Sequence, residues 1–173
     1  MDAALTFRPL TFADLPMLYQ WMICPHWVEW WGAPEPWETF VPSYTAWITD
    51  THKGQPYIAW MAGRPLGYIQ SYIATACGDG WWEDETDPGV RGVDLAIAQA
   101  ADMNRGLGTA MVKAFADMLF ADAQVTRIQT DPAPHNTRAI RCYEKAGFRR
   151  VGEVRTPDGP ALLMVCDRPS LRA

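Results

Sequence analysis

Apolar positions along this chain recur with two different periods, and the change from one to the other marks its central feature. Val93, Leu95 and Ile97 alternate with Asp94 and Ala96, which predicts a strand over 90–98. Leu107, Met111, Ala114, Phe115 and Met118 then recur at helical spacing and predict a helix running to about 121. Between them lies Asn104-Arg105-Gly106-Leu107-Gly108-Thr109. Two glycines one residue apart let the backbone turn tightly and bring its N–H groups close to an anion at the start of the helix. The turn is not a Walker loop, because no Gly-Lys-Ser/Thr follows at the required spacing. Nor is it the dinucleotide fingerprint, whose third glycine falls on Ala110 or Met111. A mononucleotide, a dinucleotide or coenzyme A would each suit such an N-terminus.

The remaining pattern surrounds this unit with antiparallel pieces. Residues 5–10 alternate as a short strand, Thr11 or Asp14 caps a helix carrying Leu15, Leu18, Tyr19 and Met22, and Cys24-Pro25 ends it. Residues 26–42 hold Trp27, Trp30, Trp31, Trp37 and three prolines, which predicts a loop-rich helical flap. Its Glu29-Trp30-Trp31-Gly32 suits either core packing or the wall of a cleft. Strands over 57–62 and 66–73 form a hairpin across Gly63-Arg64-Pro65, and a buried strand over 125–130 follows the phosphate-binding helix. The right-handed crossover makes that strand parallel to 90–98. Strands over 148–155 and 161–167, joined at 156–160, close the chain.

A chain of 173 residues with 49% hydrophobic content is expected to fold as one domain, 1–173, with a sizeable core. Met1-Asp2-Ala3-Ala4 has no basic signal-peptide start and no apolar run reaches the ~18 residues that span a bilayer, so the expectation is a cytoplasmic protein without membrane contact. Cys24, Cys77, Cys142 and Cys166 contain no CxxC pair, which predicts reduced cysteines and no metal site. A net charge of −5 disfavours nucleic acid and favours cationic partners. Six acids, Asp79, Glu83, Asp84, Glu85, Asp87 and Asp94, crowd residues 77–94 against the single cation Arg91. The block reads as a solvated loop or, because Trp81 and Trp82 sit inside it, as a surface for a polycation or aminosugar.

His26, His52 and His135 form no recognisable triad with a serine or cysteine. Asp94 is an odd choice between apolar neighbours unless it meets a cation, takes part in proton transfer, or is satisfied locally at a bulge. Some thirty residues after the Arg105–Thr109 turn comes Asn136-Thr137-Arg138-Ala139-Ile140-Arg141-Cys142-Tyr143-Glu144-Lys145-Ala146-Gly147-Phe148, where Tyr143 shares a predicted helix face with Ala139 and Ile140. Strand, Arg-Gly-Leu-Gly-Thr, amphipathic helix, strand, then Asn-x-x-Ala-x-x-x-Tyr-x-x-x-Gly-Phe resembles the acetyl-coenzyme A core of the GNAT N-acetyltransferases. That resemblance implies an α/β (α+β) GNAT fold, a mixed central sheet splayed near its middle with helices on both faces.

The likeness narrows further. The 78–94 segment, Ile128-Gln129-Thr130-Asp131-Pro132, the 139–148 segment, Thr156-Pro157-Asp158-Gly159-Pro160-Ala161, Val28-Glu29-Trp30-Trp31-Gly32 and Pro56-Tyr57-Ile58-Ala59 are together similar to the aminoglycoside 6′-N-acetyltransferases. The resemblance implies acetyl transfer from acetyl-coenzyme A to the 6′-amine of an aminoglycoside, with no metal, and resistance as the result. It makes Asp94 the base and Tyr143 the acid. Arg105, Gly106, Leu107, Gly108, Thr109 and Asn136 fall to the coenzyme, and Asp79, Trp81, Asp131 and Asp158 to the drug. Many members of the superfamily carry Gln or Arg where this chain has Met103. The competing readings are a GNAT enzyme for another cationic amine, such as a polyamine or siderophore precursor, and a non-catalytic binding module; either a monomer or a dimer is compatible.

Overall fold

A computed structural model describes residues 4–169; residues 1–3, whose lack of basic charge entered the targeting argument, lie outside them. Seven strands, β1 (Leu5–Pro9), β2 (Gly54–Met61), β3 (Arg64–Ile73), β4 (Val90–Ile97), β5 (Arg127–Thr130), β6 (Arg149–Thr156) and β7 (Gly159–Asp167), form one mixed sheet. Their order is β1-β2-β3-β4-β5-β7-β6. Five helices accompany them: α1 (Leu15–Met22), α2 (Pro25–Trp31), α3 (Trp37–Thr49), α4 (Leu107–Phe120) and α5 (Thr137–Lys145). The chain divides into two compact units, one running to Ser71 and taking up Leu95–Gly108, the other comprising Tyr72–Asp94 and the chain from Thr109 onward. Among the described residues no helix is long and apolar enough to cross a membrane.

In the first unit β1 pairs antiparallel with β2, Leu5 opposite Met61 through Pro9 opposite Tyr57. The β2–β3 turn is tighter than the three residues expected, because Ala62 (φ 52°) and Gly63 (φ 73°) both adopt the left-handed conformation of a two-residue hairpin. The expected loop-rich flap is instead two helices. Pro25 stands at the first position of α2 and Pro36 at the cap of α3, where a missing N–H costs nothing, so two prolines start helices rather than break them. Gly32 (φ 75°) ends α2, and Pro42 lies in the interior of α3. Leu15, Leu18, Trp21, Trp27, Phe40, Ile58 and Tyr68 make the core beneath these helices. Trp27 is 1% exposed and its indole N–H donates to the Ile97 carbonyl at 2.8 Å, while Trp30 is half-buried. Trp27 is thus a core residue, whereas Trp31 is half-buried and Trp37 exposed.

In the second unit α4 buries Met111, Val112, Phe115 and Ala116, and Val90, Val93, Ile128 and Met164 are buried on the strands. β5 starts at Arg127, two residues later than the hydrophobic run suggested, and pairs antiparallel with β7 and parallel with β4. The β4–β5 register holds for three rungs, Val90 with Arg127, Arg91 with Ile128 and Gly92 with Gln129, although β4 continues to Ile97. That early end to the pairing is the splay the fold requires. Gly92, at the last rung, is required by a neighbour: a Cβ there would lie 2.0 Å from ring carbons of Tyr72. Gly92→Ala is therefore expected to cost about 1–3 kcal/mol, as overpacking does. Thermal denaturation should show Tyr72→Leu recovering part of that loss in the double variant; purely additive losses would contradict the contact.

Candidate functional site

The turn ahead of α4 is held by charge as well as by glycine. Asn104 (φ 59°) and Gly106 (φ 79°) are both left-handed, and Arg105 stands between them. Asp102, 5% exposed, ends a short 3-10 turn over Ala100–Asp102. Its carboxylate accepts two bonds from the Arg64 guanidinium, at 2.7 and 3.0 Å, and one from Arg105 at 3.2 Å. The Arg64 guanidinium is the main reason its carboxyl sits below the usual carboxylate range, with burial opposing. Leu107 opens α4 and Gly108 follows in the first turn. The N–H groups at the start of α4 have no partner within the helix, and such a terminus suits an anion such as a diphosphate. Sequence reasoning found the turn but neither Asp102 nor Arg64.

In the second unit the carboxylates converge because of register. Asp94 lies two residues past the last β4–β5 rung on one strand and Asp131 two residues past it on the other. Parallel strands carry such positions to the same face. Asp131 is consequently pushed up to about 8, first by burial and then by the charges of Asp94 and of Asp158, which sits in the exposed β6–β7 turn. Tyr143, on α5 and 5% exposed, is raised by burial first and by Asp94 second, with a hydrogen bond to the Thr130 side chain partly offsetting them. Tyr72, unremarked in the sequence, is likewise raised by burial, Asp94 and Asp131. A phenol so placed keeps its proton at neutral pH and remains a donor.

The acidic loop proves to be divided in its duties. Glu85 pairs with Arg127 at 2.5 Å, and Asp87 accepts from the Gly89 N–H and the Thr126 hydroxyl, both at 2.7 Å, so these two acids fasten the loop. Asp79 is exposed at φ 53° between the left-handed Gly78 and Gly80. A Cβ on Gly80 would reach 3.4 Å from Pro157 Cγ, which sets this loop against the turn that carries Asp158. Trp81 and Trp82 follow with ring centroids 6.2 Å apart. Asn136 caps α5, its Oδ1 accepting from the Ala139 N–H at 3.1 Å, and the Thr109 hydroxyl donates to Cys142 Sγ at 3.6 Å. Thus Asp131 feels the charges of Asp94 and Asp158, Tyr143 feels those of Asp94 and Asp131, and Asp79 and Trp81 belong to the adjoining loop.

The profile of the acetyltransferase (GNAT) domain matches residues 11–156. An aminoglycoside N(6′)-acetyltransferase type 1 of Klebsiella pneumoniae is 53% identical over 172 residues, 95% of this chain and 84% of that protein. A kanamycin resistance protein of Rhizobium radiobacter is 62% identical over 88 residues, 51% of this chain and 82% of that protein. The crystal structure of aminoglycoside acetyltransferase AAC(6′)-Ib in complex with coenzyme A and kanamycin superimposes with a TM-score of 0.91 at 52% identity, covering 95% of each chain.

The raised carboxyl makes a pH prediction. Asp131 titrates at about 8 folded and near its ordinary 3.8 unfolded. The folded state therefore holds the extra proton between these values, and stability falls as pH rises through that window. Asp131→Asn removes the decline, so in urea melts without ligand its advantage over the wild type should grow between pH 5 and pH 8. Parallel curves across that range would contradict the assignment.

Proposed function

Because the chain belongs to the aminoglycoside N(6′)-acetyltransferases of the GNAT superfamily, we propose that it transfers acetyl from acetyl-coenzyme A to the 6′-amine of aminoglycosides and so confers resistance. The whole chain acts as one acetyltransferase domain, in the cytoplasm. The observation that carries the reading is the crowding of Asp131 by Asp94 and Asp158, with Asp94 and Asp131 both acting on the buried Tyr143. Carboxylates forced together this way are stabilised by a polycation, and a buried, protonated phenol beside them is a ready acid.

The thioester, when bound, supplies the acetyl group. The amides of residues 105–109 hold the coenzyme's diphosphate, with Asn136 near its pantetheine arm. Asp131, Asp158, Asp79 and the Trp81 face grip the drug's ammonium groups, which draws Asp131 into its ionised form. Asp94 orients the reacting ammonium and accepts its proton, directly or through water. Tyr143 gives a proton to the departing sulfur. Neutralising the amine weakens the product's hold on the carboxylates and, equally, the drug's attraction to RNA phosphate.

Tyr143→Phe and Asp94→Asn are each expected to lower kcat by about a hundredfold, the reach of one general acid or base, with the thermal midpoint of Asp94→Asn no lower than that of the wild type, since the Asp94 charge also repels Asp131. Cells expressing the wild-type chain should survive kanamycin concentrations that kill cells expressing Tyr143→Phe. Equal susceptibility of wild-type and empty-vector cells would overturn the reading.

A further inference from the structure

Asp102 is a buried carboxylate in a turn suited to an anion, a placement that by charge alone would repel phosphate. Its surroundings reverse the sign. Arg64 engages it with both guanidinium nitrogens, at 2.7 and 3.0 Å, and Arg105 adds a third contact at 3.2 Å. Two cations on one anion leave a net charge of +1. Both arginine side chains remain accessible, 45% exposed for Arg64 and 64% for Arg105, so their outer N–H groups face solvent while the inner ones are fixed. Asp102 itself is fixed from behind by its own N–H, which donates to the Gln99 carbonyl at 3.0 Å.

We propose that the Arg64–Asp102–Arg105 triad positions the turn for the phosphates of coenzyme A, with Asp102 as the positioning residue and Arg64 acting through it. The inference rests on the coenzyme reading above. Without Asp102, Arg105 loses the tether that folds it back three residues along the chain, and the left-handed pair Asn104 and Gly106 on either side of it is freed to sample other conformations. Ordering that turn then has to be supplied at each binding event, which weakens coenzyme affinity. The amine site is untouched, so turnover at saturation is not affected.

Calorimetric titration of coenzyme A, with steady-state kinetics, on the wild type, Asp102→Asn, Arg64→Gln and the double variant tests this. Each single variant should weaken coenzyme A binding and raise the KM for acetyl-coenzyme A about tenfold, the loss of one charge-assisted contact. The kcat and the KM for the aminoglycoside should stay within about twofold. The double variant should be no worse than Asp102→Asn alone, because both changes break one unit. If Asp102→Asn fails to fold, Arg64→Gln, at a half-exposed residue, carries the same expectation. Wild-type binding with unchanged affinity in Arg64→Gln, additive losses in the double variant, or a fall in kcat matching the rise in KM would each overturn the triad's role and leave the coenzyme reading standing. Failure of the wild type to bind coenzyme A would overturn both.

Discussion

Carboxylates that cannot separate dominate the second unit of this protein. Asp94 and Asp131 occupy matching positions beyond the last rung of a parallel strand pair, and the backbone register leaves neither free to move away. Two unit charges ~5 Å apart repel by about 3 kcal/mol at an effective dielectric constant of 20. Repulsion of that size carries a carboxyl only part of the way from 3.8 to about 8, and burial supplies the larger share for Asp131. The strain is relieved by a proton or by a cation. A protein that maintains such an arrangement is adapted to a partner that brings positive charge with it.

Other features maintain this pair. The β4–β5 pairing stops after three rungs, which places both acids at the splayed end of the strands. Gly92 keeps that end open to the Tyr72 ring, and the phenols of half-buried Tyr72 and buried Tyr143 are both raised by desolvation first and by Asp94 and Asp131 after it. The acidic loop divides its charges accordingly. Glu85 and Asp87 are consumed in fastening it, whereas Asp79 stays exposed ahead of the Trp81–Trp82 pair.

Much of this was legible in the sequence, and the exceptions have physical reasons. The strand–turn–helix centre was readable because its periodicity changes at two glycines, and the closing hairpin because turn residues bound it. The 26–42 stretch reads as loop-rich because its prolines suggest interruption, whereas Pro36 stands where α3 begins, just as Pro25 ahead of the stretch begins α2. Asp94 stood out locally as a charge among apolar neighbours. The role of Asp131 came only through family resemblance, since its convergence with Asp94 is a matter of register between strands far apart in sequence. Arg64 and Asp102 gave no signal at all: they are 38 residues apart, and Arg64 lay in what read as an ordinary turn. Local chemistry shows in sequence, and chemistry made by pairing across the sheet does not.

The most direct measurement is thiol release from acetyl-coenzyme A with aminoglycosides that carry either an amine or a hydroxyl at the 6′ position, with spermidine as a control cation. The account predicts release with the 6′-amine drugs and none with the 6′-hydroxyl drugs or spermidine. Release with spermidine, or equal release whatever the 6′ group, would contradict it.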